Sequence, residues 1–224
     1  MALADQPNVA PEAAVTTFCS SSGGWLPLIC TMNLTNATGL IRDLLDLDID
    51  QFNALVAKAP IGAEGVSMLP FFNGERVPAL PHASGSLSGL TMSNLTRANL
   101  CRAVVEGTTF GLRYGLDLLR HNGLQSRSIR LIGGGSKSAV WRQIVADIMN
   151  TPVICTKQSE AAALGAAIQA AWCVSWTNGN GLSLADLCER CVKLDPAGET
   201  LPVSDNVQAS QQAYERYRQQ VATL

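Results

Sequence analysis

Residues 130–143 read RLIGGGSKSAVWRQ: an apolar pair, three consecutive glycines, Ser136, Lys137 and Ser138, then a run with helical spacing. Glycines between a strand signal and a helix signal let a ligand approach the backbone, because they carry no Cβ and adopt positive φ freely. A helix starting near Ser138 directs unpaired N–H groups and the positive end of its dipole at the same gap. That is chemistry suited to an anion or a nucleotide. A phosphate loop of the G-x-x-x-x-G-K-[ST] type needs Gly directly before the Lys, and Ser136 stands there. A dinucleotide fingerprint G-x-G-x-x-G fits at Gly133 and Gly135 and breaks at Ser138. Two readings of the turn stay open on local grounds: a ligand clasp, or a tight connection in which glycine only avoids clashes.

Other reactive side chains are sparse. Cys188 and Cys191 form a C-x-x-C, but a zinc site needs two more ligands at matching spacing, and only His82 and His121 exist, far apart. Packing along a helix face is the expected role of that pair. The seven cysteines are an odd number in a chain large enough to fold without staples, which points to a reducing, cytoplasmic setting. Cys19, Cys30, Cys101, Cys155 and Cys173 sit in apolar patterns, where a free thiol behaves as a small hydrophobe. Three Asn-x-Ser/Thr sequons, at Asn33, Asn36 and Asn94, read as polar capping chemistry.

The elements that must position these residues follow from periodicity. Residues 1–14 are Pro- and Ala-rich and read as an extended N-terminal segment; residues 15–224 read as one domain. Residues 15–21 and 25–33 are β-prone runs around a Ser-Ser-Gly-Gly turn. Helices are expected over 35–47, with Leu40, Ile41, Leu44 and Leu45 on one side, and over 50–58. A buried strand at 65–72 leads into a Gly/Pro-rich loop, NGERVPALPHASGS. Residues 96–120 predict a long helix, with Val104, Val105, Thr108, Leu112 and Leu116 on its apolar face and Asn122-Gly123 at its end. A strand into the glycine turn, a helix over 138–150, a strand over 152–156 and an Ala-rich helix over 161–176 complete a β-α-β-α order. Such an order requires crossovers, hence a largely parallel sheet flanked by helices, with the Ala-rich helix buried. A polar helix with Tyr214, Tyr217 and Val221 as its apolar stripe closes the chain.

Composition bounds the function. With 224 residues, 47% hydrophobic and 15% charged, the chain can bury one good core. A formal net charge of -2 and scattered Lys and Arg leave no basic field for nucleic acid. The stretch over 161–176 holds Gln169 and is too short to cross a bilayer, and the first residues have neither a basic n-region nor an apolar h-region. No membrane partner is expected.

A second region bears on the glycine turn. Residues 85–106, GSLSGLTMSNLTRANLCRAVVE, place Gly85, Leu87, Gly89, Leu90, Asn99, Leu100, Ala103, Val104, Val105 and Glu106 at every position of a known pattern. The stretch resembles the C-terminal signature of the FGGY carbohydrate kinases. MLPFFNGERVP (residues 68–78) resembles that family's Leu-Pro…Gly-Glu-Arg-x-Pro segment, most strongly its xylulokinases, and LIGGGSKSAVWRQIVADI resembles its adenosine turn and helix. The likeness covers residues 15–172.

The resemblance implies an α/β, ribonuclease-H-like domain of the actin/Hsp70-type ATPases, with a mixed sheet and helices on both faces. It implies ATP with Mg2+, the metal held mainly by the phosphates and by an N-terminal kinase domain, and a small-molecule sugar, a pentulose, as phosphate acceptor. It implies that Gly133 and Gly134 line the adenosine and α-phosphate, that Gly135 keeps the turn tight and that Ser138 lies near adenine or ribose. Asn36 and Gly39 would belong to the opposite wall. The family's Asp-x-Gly-Thr loop and Gly-x-x-Asp-Asn base motif do not occur in these residues. No catalytic residue is therefore assigned, and the chain is expected to be the nucleotide half of a kinase, inactive when isolated; a non-catalytic nucleotide module is the alternative, and a homodimer stays open. Lys137 reads as solvated, Glu75 and Arg76 as an internal ion pair bracing the loop, and Glu106 as a helix-orienting contact.

Overall fold

A computed structural model describes residues 4–7, 14–158, 160–179 and 181–224. Most of the expected extended segment, residues 1–3 and 8–13, lies outside the described residues; Ala4 forms an isolated bridge with Trp25. The chain opens with the hairpin β1 (Thr16–Cys19) and β2 (Trp25–Leu28), then α1 (Thr35–Leu44) and α2 (Ile49–Lys58). Asp48 starts α2 with a reciprocal cap: its carboxylate accepts from Gln51 N at 2.8 Å while the Gln51 side chain accepts from Asp48 N at 3.1 Å. The short strands β3 (Ser67–Leu69) and β4 (Ser86–Ser88) pair antiparallel and lead to α3 (Arg97–His121).

Helix α3 organises the molecule. Its sequence predicts one apolar face, yet every residue from Cys101 to Gly111 is buried. Small residues make burial on all sides feasible: a Cβ on Gly107 would stand 2.3 Å from Met68 O, so only glycine lets β3 lie against the helix. Phe52 and Val56 of α2, Met68 and Leu69 of β3 and Ala37 of α1 pack in the same cluster as Val104, Val105 and Phe110.

The second half supplies the sheet. Strands β5 (Ile129–Leu131) and β6 (Val153–Thr156) run parallel across α4 (Ala139–Met149), as the crossover argument predicts. The third strand, β7 (Leu194–Thr200), joins β6 antiparallel, so the sheet is mixed rather than largely parallel. LDPAGET reads poorly as a strand because Pro196 cannot donate and Gly198 packs weakly; its register shifts between Val153 and Cys155. Leu112 and Leu116 of α3 and Val145 and Met149 of α4 pack against Ile129, Leu131 and Val153 of the sheet.

Two expectations about burial fail. Helix α5 (Ala161–Thr177) buries only Ile168 and Ser175 among its described residues, and Trp176 is 66% exposed. An alanine-rich helix that is apolar all round marks no single face for packing. Cys101 and Cys155 are buried as expected, but Cys19, Cys30 and Cys173 are exposed, as are Cys188 and Cys191 on α6 (Leu184–Cys191). The terminal helix α7 (Ser204–Val221) behaves as its stripe predicts: Tyr214 and Tyr217 are buried against Phe110 at ring-centroid distances of 5.6 and 5.5 Å.

Of the two carboxylates, Glu106 makes the helix-orienting contact expected of it and Glu75 departs from its expected role. Glu75 is buried and accepts from Met32 N and Arg76 N, both at 2.7 Å, and from Asn33 Nδ2 at 3.2 Å. The Arg76 guanidinium instead lies by Cys30 Sγ, so the expected Glu75–Arg76 ion pair does not form. Backbone amides from its own loop (Arg76) and from the segment before α1 (Met32) satisfy the carboxylate at short range in place of the exposed Arg76 side chain. Glu106 is buried, accepts from Arg102 Nε at 2.6 Å, and accepts from Gly62 N at 3.0 and 3.2 Å through its two oxygens.

Burial pushes the Glu106 carboxyl above its ordinary value of 4.5, and the Arg102 charge opposes that rise. A carboxyl with a raised folded pKa contributes stability that is full below its unfolded pKa and is lost as pH climbs through the folded value. Removing Arg102 enlarges the rise. Arg102→Met should therefore cost about 3–5 kcal/mol at neutral pH by leaving a buried charge uncompensated. In urea melts the deficit should shrink as pH falls toward 4.5; an equal loss at both pH values would contradict this role.

Candidate functional site

The glycine turn follows β5 directly. Gly133 has φ +86°, a left-handed conformation that favours glycine, and residues Gly134–Lys137 form one 3-10 turn before Ser138 caps α4. Ser136 Oγ donates to Gly133 O at 2.7 Å, and Arg142 Nη1 donates to Ser136 O at 2.7 Å. These bonds consume the carbonyls of the turn and fix its shape.

The three glycines have different reasons to be glycine. Gly133 needs its φ, although a Cβ there would meet nothing within 4 Å. At Gly135 a Cβ would meet the Trp141 ring at 3.4 Å, an ordinary packing contact. Gly134 has neither constraint: its φ is outside the left-handed range and a Cβ would project into open space. Backbone conformation thus accounts for Gly133, and neither φ nor packing requires a glycine at Gly134.

The open space is a cleft of about 410 Å³ between this turn and the first two helices. The turn side presents Gly134, Gly135, Lys137 and Ser138, with Trp141 behind them. Helix α1 contributes Thr38, Gly39 and Arg42, and α2 contributes Asp50, Phe52 and Asn53. The fold thus brings Gly134, Gly135, Ser138 and Gly39 to one cleft, although nearly a hundred residues separate its walls. Gly133 sits at the start of the turn, exposed, outside the lining. Asn36 is also outside it: its Oδ1 accepts from Leu34 N at 2.8 Å and its Nδ2 donates to Met32 O at 3.2 Å, closing the turn ahead of α1. Lys137 is exposed at the cleft edge.

Ser138 joins the two walls. Its Oγ accepts from Trp141 N at 3.2 Å as the cap of α4 and donates to Asn53 Oδ1 at 2.8 Å. Sequence reading missed Asn53, Asp50 and Trp141 as cleft residues. The available signal was weak: Asn is a poor residue for a helix interior, and Asn53 follows the buried Phe52 with no cap to form. The N-terminus of α4, with its first N–H groups and dipole, opens on the same side as the turn, so the cleft can accept an anionic ligand carrying a planar group.

The sequence model described as the FGGY family of carbohydrate kinases, C-terminal domain, matches residues 5–174. The chain is 52% identical over 210 residues to the xylulose kinase of Haemophilus influenzae, covering 94% of this chain and 42% of that protein. It is 39% identical over 162 residues to the xylulose kinase of Streptomyces coelicolor, covering 72% of this chain and 32% of that protein. Among solved structures, xylulose kinase from Bifidobacterium adolescentis matches at TM-score 0.77 and 34% identity, over 95% of this chain and 40% of that one. Ligand-bound xylulose kinase from Lactobacillus acidophilus matches at TM-score 0.86 and 25% identity, over 99% of this chain and 44% of that one. The chain spans less than half the length of these relatives. It belongs to the FGGY family of carbohydrate kinases, as a C-terminal domain most like that of xylulose kinases, with the α/β fold of that family.

Proposed function

We propose that this chain is the ATP-binding half of a xylulose-kinase-like enzyme that transfers the γ-phosphoryl group of ATP to a pentulose hydroxyl. The observation that carries the reading is Gly134: a glycine with no packing or backbone reason of its own, facing a cleft in a family of kinases. A cleft of about 410 Å³ suits a nucleoside. The fit is chemical as well as spatial: Gly134 and Gly135 allow the sugar–phosphate portion close to the backbone, α4 offers its positive end, and Gly39 leaves room on the opposite wall.

ATP, when bound, supplies the transferred phosphoryl group, and catalysis of that transfer is largely positioning and charge stabilisation. The task of this chain in that scheme is to hold and orient the adenosine end and to exclude water from it. In this reading Mg2+ would be held by the phosphates and by an N-terminal domain. That domain would also bring the base and most sugar contacts. The cysteines described as free, five of them exposed, support a reducing cytoplasmic setting. No helix among the described residues is long and apolar enough to cross a membrane.

Two measurements test the reading. Gly134→Val should lower ADP affinity at least about tenfold in calorimetry by filling the ligand's space, with the thermal midpoint nearly unchanged because an added Cβ would meet no protein atom within 4 Å. Unchanged affinity would remove the turn from the site. The purified chain should show no turnover with D-xylulose and MgATP; robust turnover would overturn the half-enzyme reading.

A further inference from the structure

The cleft reading leaves open which group meets the base. Ser138 is the candidate by sequence, but its single hydroxyl is committed twice: it accepts from Trp141 N and donates to Asn53 Oδ1. A hydroxyl that has spent its proton and carries a cap is a poor ligand contact. Its partner differs. Asn53 uses Oδ1 toward Ser138, its Nδ2 has no hydrogen-bond partner among the described residues, and the residue lines the cleft beside Phe52 and Gly135. A carboxamide pinned through its oxygen has a fixed plane, and its two N–H donors are what remains to offer.

Resting on the nucleotide reading above, we infer that Asn53 is a base-positioning residue of this cleft: its Nδ2 donates to an unprotonated ring nitrogen of a bound purine, and the Ser138 bond holds the amide in place for it. The Asp48–Gln51 cap supports this by fixing the first turn of α2, one turn before Asn53. The arrangement selects for ring nitrogens with a lone pair, which adenine presents at N1, N3 and N7. It also makes the position of the base depend on the bond across the cleft rather than on the glycine turn alone.

The inference separates a ligand contact from a structural brace. Asn53→Asp keeps an oxygen to accept from Ser138 Oγ and deletes the Nδ2 donor, so cap and bridge persist. Binding of ADP, and of its 1-, 3- and 7-deaza analogues, is measured by calorimetry on the wild-type chain, Asn53→Asp and Asn53→Ala, with thermal melting as the check on folding. The wild type should bind one deaza analogue about five- to tenfold more weakly than ADP, the scale of one hydrogen bond. Asn53→Asp should bind ADP weakly by the same factor, show no further loss for that analogue, and melt like the wild type. If Asn53→Asp binds ADP as the wild type does, or if its losses with the analogues simply add to those of the wild type, Asn53 is only a brace and the inference is overturned. If the wild-type chain binds no ADP, the nucleotide reading itself falls.

Discussion

A carboxylate taken out of water must be met by donors inside the protein, and the architecture of this domain depends on how Glu106 is met. Arg102 on the same helix gives one charged donor, and the backbone N–H of Gly62 gives the other. Gly62 lies just beyond α2, so the bond ties the end of that helix to the middle of α3. With its C-terminal end held there and its N-terminal end set by the Asp48–Gln51 cap, α2 has little freedom to slide. Its Phe52 and Val56 then enter the α3 cluster, and Asn53 is left at the cleft. The chain of dependence runs from a buried ion pair, through a helix end, to the residue that bonds with Ser138.

The glycine turn shows why three identical residues in a row are not one motif. Gly133 is a conformational requirement, Gly135 lies within ordinary contact of Trp141, and a Cβ on Gly134 would meet nothing. Hydrogen bonds from Ser136 and Arg142 to carbonyls of the turn brace it from within; a loop braced this way costs less entropy to order around a ligand.

Much of this was legible in the residues. Helical periodicity placed α1, α2, α3 and α4, and the Tyr214–Tyr217 stripe identified the buried face of α7; the buried face of α1 was not legible, since Ala37 and Thr38 are buried while Leu40 and Leu44 are exposed. The turn between β5 and α4 was legible because backbone freedom and helix capping are local properties. What was not legible is what depends on distant partners. β7 carries Pro196 and Gly198 and becomes a strand only because β6 offers it an edge. The exposure of α5 and the fate of Glu75 depend on what packs beside them, which no spacing records. Asn53 is the clearest case: its bond to Ser138 crosses 85 positions and leaves no periodic trace.

The central claim is that a purine nucleotide occupies the cleft between α2 and the turn over 134–138. A crystal structure of this chain with ADP tests it most directly. The base is expected against Asn53 Nδ2, with the Asn53–Ser138 bond intact and the phosphates leading out past Gly134. Ordered ADP bound elsewhere on the molecule, with this cleft empty, would contradict it.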